Sequence, residues 1–127
     1  MNSKLLKDVF KKLFPIKADD FDSQENSPKT ISPGEAADMI KKGAAVIDVR
    51  EPAELAGPLK PIIGATNIPM KNIVGRMKGE DRDKNYILVC AHGNRSRMAS
   101  SILAQLGFKN VFNLSGGMKA YRNKYPD

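Results

Sequence analysis

Tyr86-Ile87-Leu88-Val89-Cys90-Ala91-His92-Gly93-Asn94-Arg95-Ser96 runs from an apolar stretch into a polar, glycine-containing loop. The four apolar residues have the length of a buried strand, and from Arg97 to Leu106 the residues Ala99, Ile102, Leu103 and Leu106 recur at helical spacing. The loop therefore joins the end of a strand to the start of a helix. The first turn of a helix leaves backbone N–H groups unpaired, and with the helix dipole they attract negative charge. Cys90, the only cysteine of the chain, stands at the mouth of that amide cradle, and Arg95 adds a fixed positive charge five positions on. Such an arrangement favours a reactive thiolate.

Outward from the loop, apolar strands alternate with helical segments, which predicts an α/β domain with a mostly parallel central sheet and helices on its faces. Ser32, Pro33 and Glu35 form a helix start, with a hydroxyl to cap, a proline in the first turn and a glutamate three places on; the helix runs to about Lys42 and stops at Gly43. Ala45-Val46-Ile47-Asp48-Val49 reads as a buried strand ending in Asp48, Arg50 and Glu51. A short helix is expected over 71–78. Val111-Phe112-Asn113-Leu114 reads as the last strand, and Ser115-Gly116-Gly117-Met118 opens a closing helix. Ligands of such sheets sit beyond the carboxyl ends of the strands, which gathers Asp48 and Arg50, the loop from Cys90 to Ser96, and Ser115 to Gly117 toward one end.

Cys-x-x-Gly-x-Arg-Ser after an apolar strand and before a helix resembles the active-site loop of the rhodanese-like sulfurtransferases. Asp48-Val49-Arg50-Glu51 with its proline-containing acidic turn (Pro52, Glu54), Ile62 to Pro69, and Leu114-x-Gly116-Gly117-Met118 with Tyr121 resemble further segments of that family. The resemblance covers about three quarters of the chain, from Lys29 to Tyr125. Lys60 and Pro61 depart from it, standing where glycine and histidine are usual. The resemblance implies a rhodanese-like fold, Cys90 as the nucleophile that carries sulfane sulfur as a persulfide, an anionic donor such as thiosulfate, a thiol, protein-cysteine or cyanide acceptor, and no metal or organic cofactor.

The residues leave several roles open. Ala91, His92, Gly93, Asn94, Arg95 and Ser96 form the candidate substrate-binding loop, with Asp48, Arg50 and Arg97 as contributors. Asp48 and Arg50 could pair with each other and hold loop backbone, or could touch substrate. Arg95 could neutralise an oxyanion, or brace the loop through carbonyls and Asp48. His92 could share protons, contact substrate or face solvent. Asn94 would line the mouth or serve the turn, Ser96 reads as the helix N-cap, and Arg97 as an exposed charge near the entrance. Cysteine phosphatases also place a cysteine and an arginine around a strand-to-helix cradle, but with five residues between them; here there are four, a tighter ring that suits one added sulfur better than a tetrahedral oxyanion.

With 127 residues and 41% hydrophobic content the chain can bury one ordinary core. The expected organisation is an amphipathic helix over residues 1–16, a polar linker over 17–28 and the α/β domain over 29–127. Leu5, Leu6, Val9, Phe10, Leu13 and Phe14 share one helical face opposite Lys4, Lys7, Lys11 and Lys12, a pattern that fits a membrane surface, a partner protein or the chain's own domain. That helix would suit the alternative function, a binding or regulatory module recruited to a membrane or a complex. Asp8 and the lack of arginine there argue against a mitochondrial targeting peptide. The net charge of +7 resides wholly beyond Pro28, where sixteen basic residues face nine acidic ones. With only 6% aromatic residues and no zinc or helix-turn-helix signature, a small anionic substrate or an anionic partner surface is expected rather than nucleic acid. One cysteine forms no internal disulfide and, with one histidine, no metal shell; a reducing, cytoplasmic setting is the simpler expectation.

Overall fold

The computed structural model describes residues 28–127, so the helix expected over 1–16 and all but the last residue of the expected linker lie outside the described residues. Five strands, β1 (Lys29–Ile31), β2 (Ala45–Asp48), β3 (Thr66–Asn67), β4 (Asn85–Val89) and β5 (Asn110–Leu114), form one sheet in the order β1-β5-β4-β2-β3, and every pairing is parallel. Four α-helices connect them: α1 (Pro33–Lys41), α2 (Ile73–Met77), α3 (Asn94–Gln105) and α4 (Gly117–Lys124). Among these residues no helix is long and apolar enough to cross a membrane.

A parallel sheet needs both faces covered, and period-two alternation supplies two apolar faces. Along β4, Tyr86 and Leu88 join a core built with α2 and α3, which includes Ile47, Ile73, Met77, Ile102, Leu103 and Phe108. Ile87 and Val89 point the other way, into a core built with α1 and α4 that includes Ile31, Ala36, Val46, Leu114 and Met118. Cys90 continues the first set, so its side chain belongs to the α3 face. The edge strands β1 and β3 are only three and two residues long, which leaves little unpaired backbone.

The expected start of α1 holds in detail. The Ser32 hydroxyl accepts from Glu35 N at 3.1 Å, and Ser32 N donates to the Glu35 carboxylate at 3.0 Å. Gly43, with φ of +99°, follows the C-cap Lys42. The segment expected as one helix over 71–78 is instead a 3-10 turn, Met70–Asn72, leading into the short α2. At the Lys60-Pro61 departure the two carbonyls accept hydrogen bonds from the Arg122 guanidinium, 2.9 Å and 2.6 Å, tying this loop to α4.

Candidate active site

The carboxyl ends of β2, β4 and β5 lie side by side, since Asp48 is in register with Val89 and Leu88 with Asn113. The chain leaves β4 at Cys90 and turns through Gly93, whose φ of +98° is the left-handed region that side chains disfavour, directly into α3. This turn folds the first amides of α3 back over the sulfur. Gly93 N–H donates to Cys90 Sγ at 3.1 Å, and Ser96 N–H and the Ser96 hydroxyl lie at 3.3 Å from it. The residue is only 1% exposed. Burial pushes the thiol's pKa up, but hydrogen bonds from the Ser96 hydroxyl and from the amides of Ser96, Gly93 and His92 together outweigh it, so the thiol ionises below its ordinary value.

The other side of the loop is held by α4. Met118 N–H donates to Cys90 O at 2.8 Å and Lys119 N–H to Ala91 O at 3.0 Å, so two helix N-termini grip the same short segment, one by its sulfur and one by its carbonyls. Gly117 is what permits this approach. Its φ is +64°, and a Cβ there would stand 2.5 Å from Cys90 O and 2.6 Å from the Ala91 carbonyl carbon and oxygen.

Charged groups frame the loop in two pairs. Arg95 makes a two-pronged ion pair with Glu54 in the 3-10 turn Pro52–Ala56, with both distances 2.8 Å. That guanidinium holds the Glu54 carboxyl down at about 2, and the carboxylate in turn raises the pKa of Arg95. Asp48 and Arg50 form the second pair, at 2.8 Å and each only 1% exposed. Arg50 also donates to Leu59 O at 2.8 Å, while Asn67 Nδ2 donates to the carbonyls of Asp48 and Arg50 at 2.9 Å each. No buried side-chain polar atom among the described residues lacks a hydrogen-bond partner.

Several expectations need correction. Ser96 is not the N-cap of α3: Gly93 is, the helix begins three residues earlier than expected, at Asn94, and Ser96 is a fully buried first-turn residue. The cysteine sulfur itself accepts the first amides, so no hydroxyl cap is needed. Arg95 braces the loop, but through Glu54 rather than Asp48. Asp48 and Arg50 hold each other and loop backbone at the sheet's end. His92, Asn94 and Arg97 are exposed, and Ala91 is half-buried, all on the loop or the first turns of α3. Sequence reading missed two residues. In the sequence, Glu54 reads only as part of an acidic turn. Asn113, a polar residue inside the apolar run of β5, is 3% exposed and accepts a hydrogen bond from the Ser96 hydroxyl at 2.6 Å. A buried amide demands partners, and that demand was the available signal.

Comparison with known proteins agrees with this geometry. The family model of the rhodanese-like domain matches residues 32–124. A thiosulfate sulfurtransferase GlpE of Pseudomonas entomophila is 36% identical over 98 residues, covering 77% of this chain and 88% of that protein. A rhodanese-related protein of Thermoplasma volcanium superposes with a TM-score of 0.67 at 36% identity, over 76% of this chain and 92% of that one. The reduced CoADR-RHD of Bacillus anthracis does so with a TM-score of 0.70 at 33% identity, over 78% of this chain but 17% of that larger one. A parallel α/β sheet carrying a cysteine loop at its carboxyl edge, with a family match across nearly all the described residues, places this chain in the rhodanese-like domain family.

Proposed function

We propose that the chain is a rhodanese-type sulfurtransferase that carries sulfane sulfur as a Cys90 persulfide, from thiosulfate or another persulfide donor to a thiol or cyanide acceptor. The observation that carries the reading is the convergence of the Gly93 amide, the Ser96 amide and the Ser96 hydroxyl on one buried sulfur. The two amides, fixed by the turn, stabilise the sulfur as an anion without reorganisation, and the Ser96 hydroxyl adds a third donor to it. The thiosulfate sulfurtransferases among its relatives support the same donor class.

The Cys90 thiolate attacks the outer sulfur of thiosulfate. A new S–S bond forms, and the bond between the two thiosulfate sulfurs breaks with its electron pair leaving on sulfite. The persulfide keeps one negative charge, so the same donors serve it. An acceptor nucleophile then attacks the outer sulfur, the persulfide bond breaks, and Cys90 departs as thiolate, ready for another cycle. His92, Asn94 and Arg97, exposed around the loop, are the groups an incoming anion meets first. Arg95, engaged with Glu54, supports the loop and contributes its charge from there. A binding or regulatory module would need none of the donors aimed at the sulfur, so the recruitment alternative gains no support from this geometry.

Intact-protein mass after incubation with thiosulfate, with and without a reducing thiol, tests the reading. One added sulfur, removed by the thiol and absent from the nearly isosteric Cys90→Ser variant, is expected. Loading of that variant, or a wild-type protein that neither thiosulfate nor polysulfide can load, overturns it.

A further inference from the structure

The Ser96 hydroxyl has one proton and two acceptors within reach. Cys90 Sγ lies 3.3 Å from its oxygen and Asn113 Oδ1 lies 2.6 Å away. Ser100, the nearest hydroxyl on α3, does not enter this contest, because it donates to Ser96 O at 2.7 Å. The orientation of the Asn113 amide is set by the loop: its Nδ2 donates to Gly93 O at 3.3 Å, which leaves the oxygen facing Ser96. The side chain is buried at the end of β5, so each of its polar atoms depends on these partners.

We propose that Asn113 is a positioning residue that competes with the Cys90 sulfur for the Ser96 proton and so sets how readily the nucleophile ionises. In the thiol state the hydroxyl donates to Asn113 over the shorter distance. In the thiolate and persulfide states it rotates to the sulfur, and the buried amide oxygen gives up its donor. Ionisation of Cys90 is thus opposed by the amide that also anchors the Gly93 turn. The same competition favours return of the hydroxyl to Asn113 whenever the sulfur is neutral.

This inference rests on Cys90 being the reacting group, but its readout does not require turnover. Because the sequence contains a single cysteine, the pH dependence of its alkylation by iodoacetamide reports the Cys90 pKa alone. Asn113→Leu keeps the side-chain size and removes the competing acceptor, and Asn113→Ala serves as a second variant should leucine not fold. Both leave in place the charged groups on the elements that meet at the loop, Arg95, Glu54, Asp48, Arg50, His92 and Lys119. The expected result is a pKa lowered by on the order of one unit in the Ser96 background and no change between Asn113 and its variants in a Ser96→Ala background. A raised or unmoved pKa with Ser96 present, or an equal fall in both backgrounds, overturns the proposal. Persulfide loading that fails while this coupling holds would instead count against the proposed function, so the two failures are distinguishable.

Discussion

Replacing Gly117 by alanine places a methyl group in contact with the backbone of Cys90 and Ala91. The added Cβ would stand 2.5 Å from Cys90 O and 2.6 Å from both carbonyl atoms of Ala91. None of these is a flexible side-chain end. Relief requires a shift of roughly 0.8 Å or more to reach ordinary carbon–oxygen contact. If α4 retreats, the bonds from Met118 N to Cys90 O and from Lys119 N to Ala91 O lengthen, and these two carbonyls lose their partners. The left-handed backbone at φ of +64° costs about 1–2 kcal/mol for any side chain, and two weakened hydrogen bonds about 0.5–1.5 kcal/mol each, for a total of about 2–5 kcal/mol. Gly43→Ala is the control, since its φ is +99° but nothing lies within 4 Å of its Cβ; it should cost only the backbone part, about 1–2 kcal/mol. Urea denaturation of the two variants, with Cys90 alkylation rates on the folded proteins, separates the contributions. Equal destabilisation of the two, with Cys90 reactivity unchanged in Gly117→Ala, would refute the claim that the approach of α4 to this carbonyl pair organises the loop.

Three other outcomes are expected. Asp48→Asn leaves the Arg50 guanidinium buried beside a neutral group and should cost about 3–5 kcal/mol by urea denaturation; a loss below about 1 kcal/mol would mean that Arg50 does not depend on this partner. Glu54, whose carboxyl is lowered from 4.5 to about 2, contributes stability that is fully present above its unfolded pKa and is lost as pH falls through its folded one. The side chains of this ion pair are 35–41% exposed, so solvent screening limits that contribution to about 1 kcal/mol or less. Glu54→Gln should therefore flatten the stability profile between about pH 4.5 and 2, and an unchanged slope in acid denaturation would count against the ion pair. Leu103→Ala, in the α2–α3 core and fully buried, should cost about 2–5 kcal/mol while leaving the thiol pKa unmoved; a shifted pKa would show that α3 packing, not the loop, sets ionisation.

Much of the architecture was legible because it rests on local chemistry. Ser32, Pro33 and Glu35 announce α1 through a cap that involves only neighbours in sequence. The apolar runs at Val46-Ile47 and Tyr86 to Val89 announce strands covered on both faces, and the single cysteine before a glycine marks the strand-to-helix turn. The helix boundary was less legible. Ser96 has the side chain of an N-cap, and nothing local reveals that a sulfur six residues earlier accepts the first amides in its place.

What the chain's sequence determined by itself is therefore the class of fold, the place of the single cysteine at a strand-to-helix turn and the residue types around it, each read from periodicity, caps and turns within a few residues of one another. Tertiary structure alone decided the partnerships: Arg95 with Glu54 forty-one residues away, Ser96 with Asn113 seventeen away, and Gly117 against the Cys90–Ala91 peptide. The reason is physical. These contacts join the ends of different strands, and which ends become neighbours depends on the strand order β1-β5-β4-β2-β3, fixed by packing both faces of the sheet and not by any local preference.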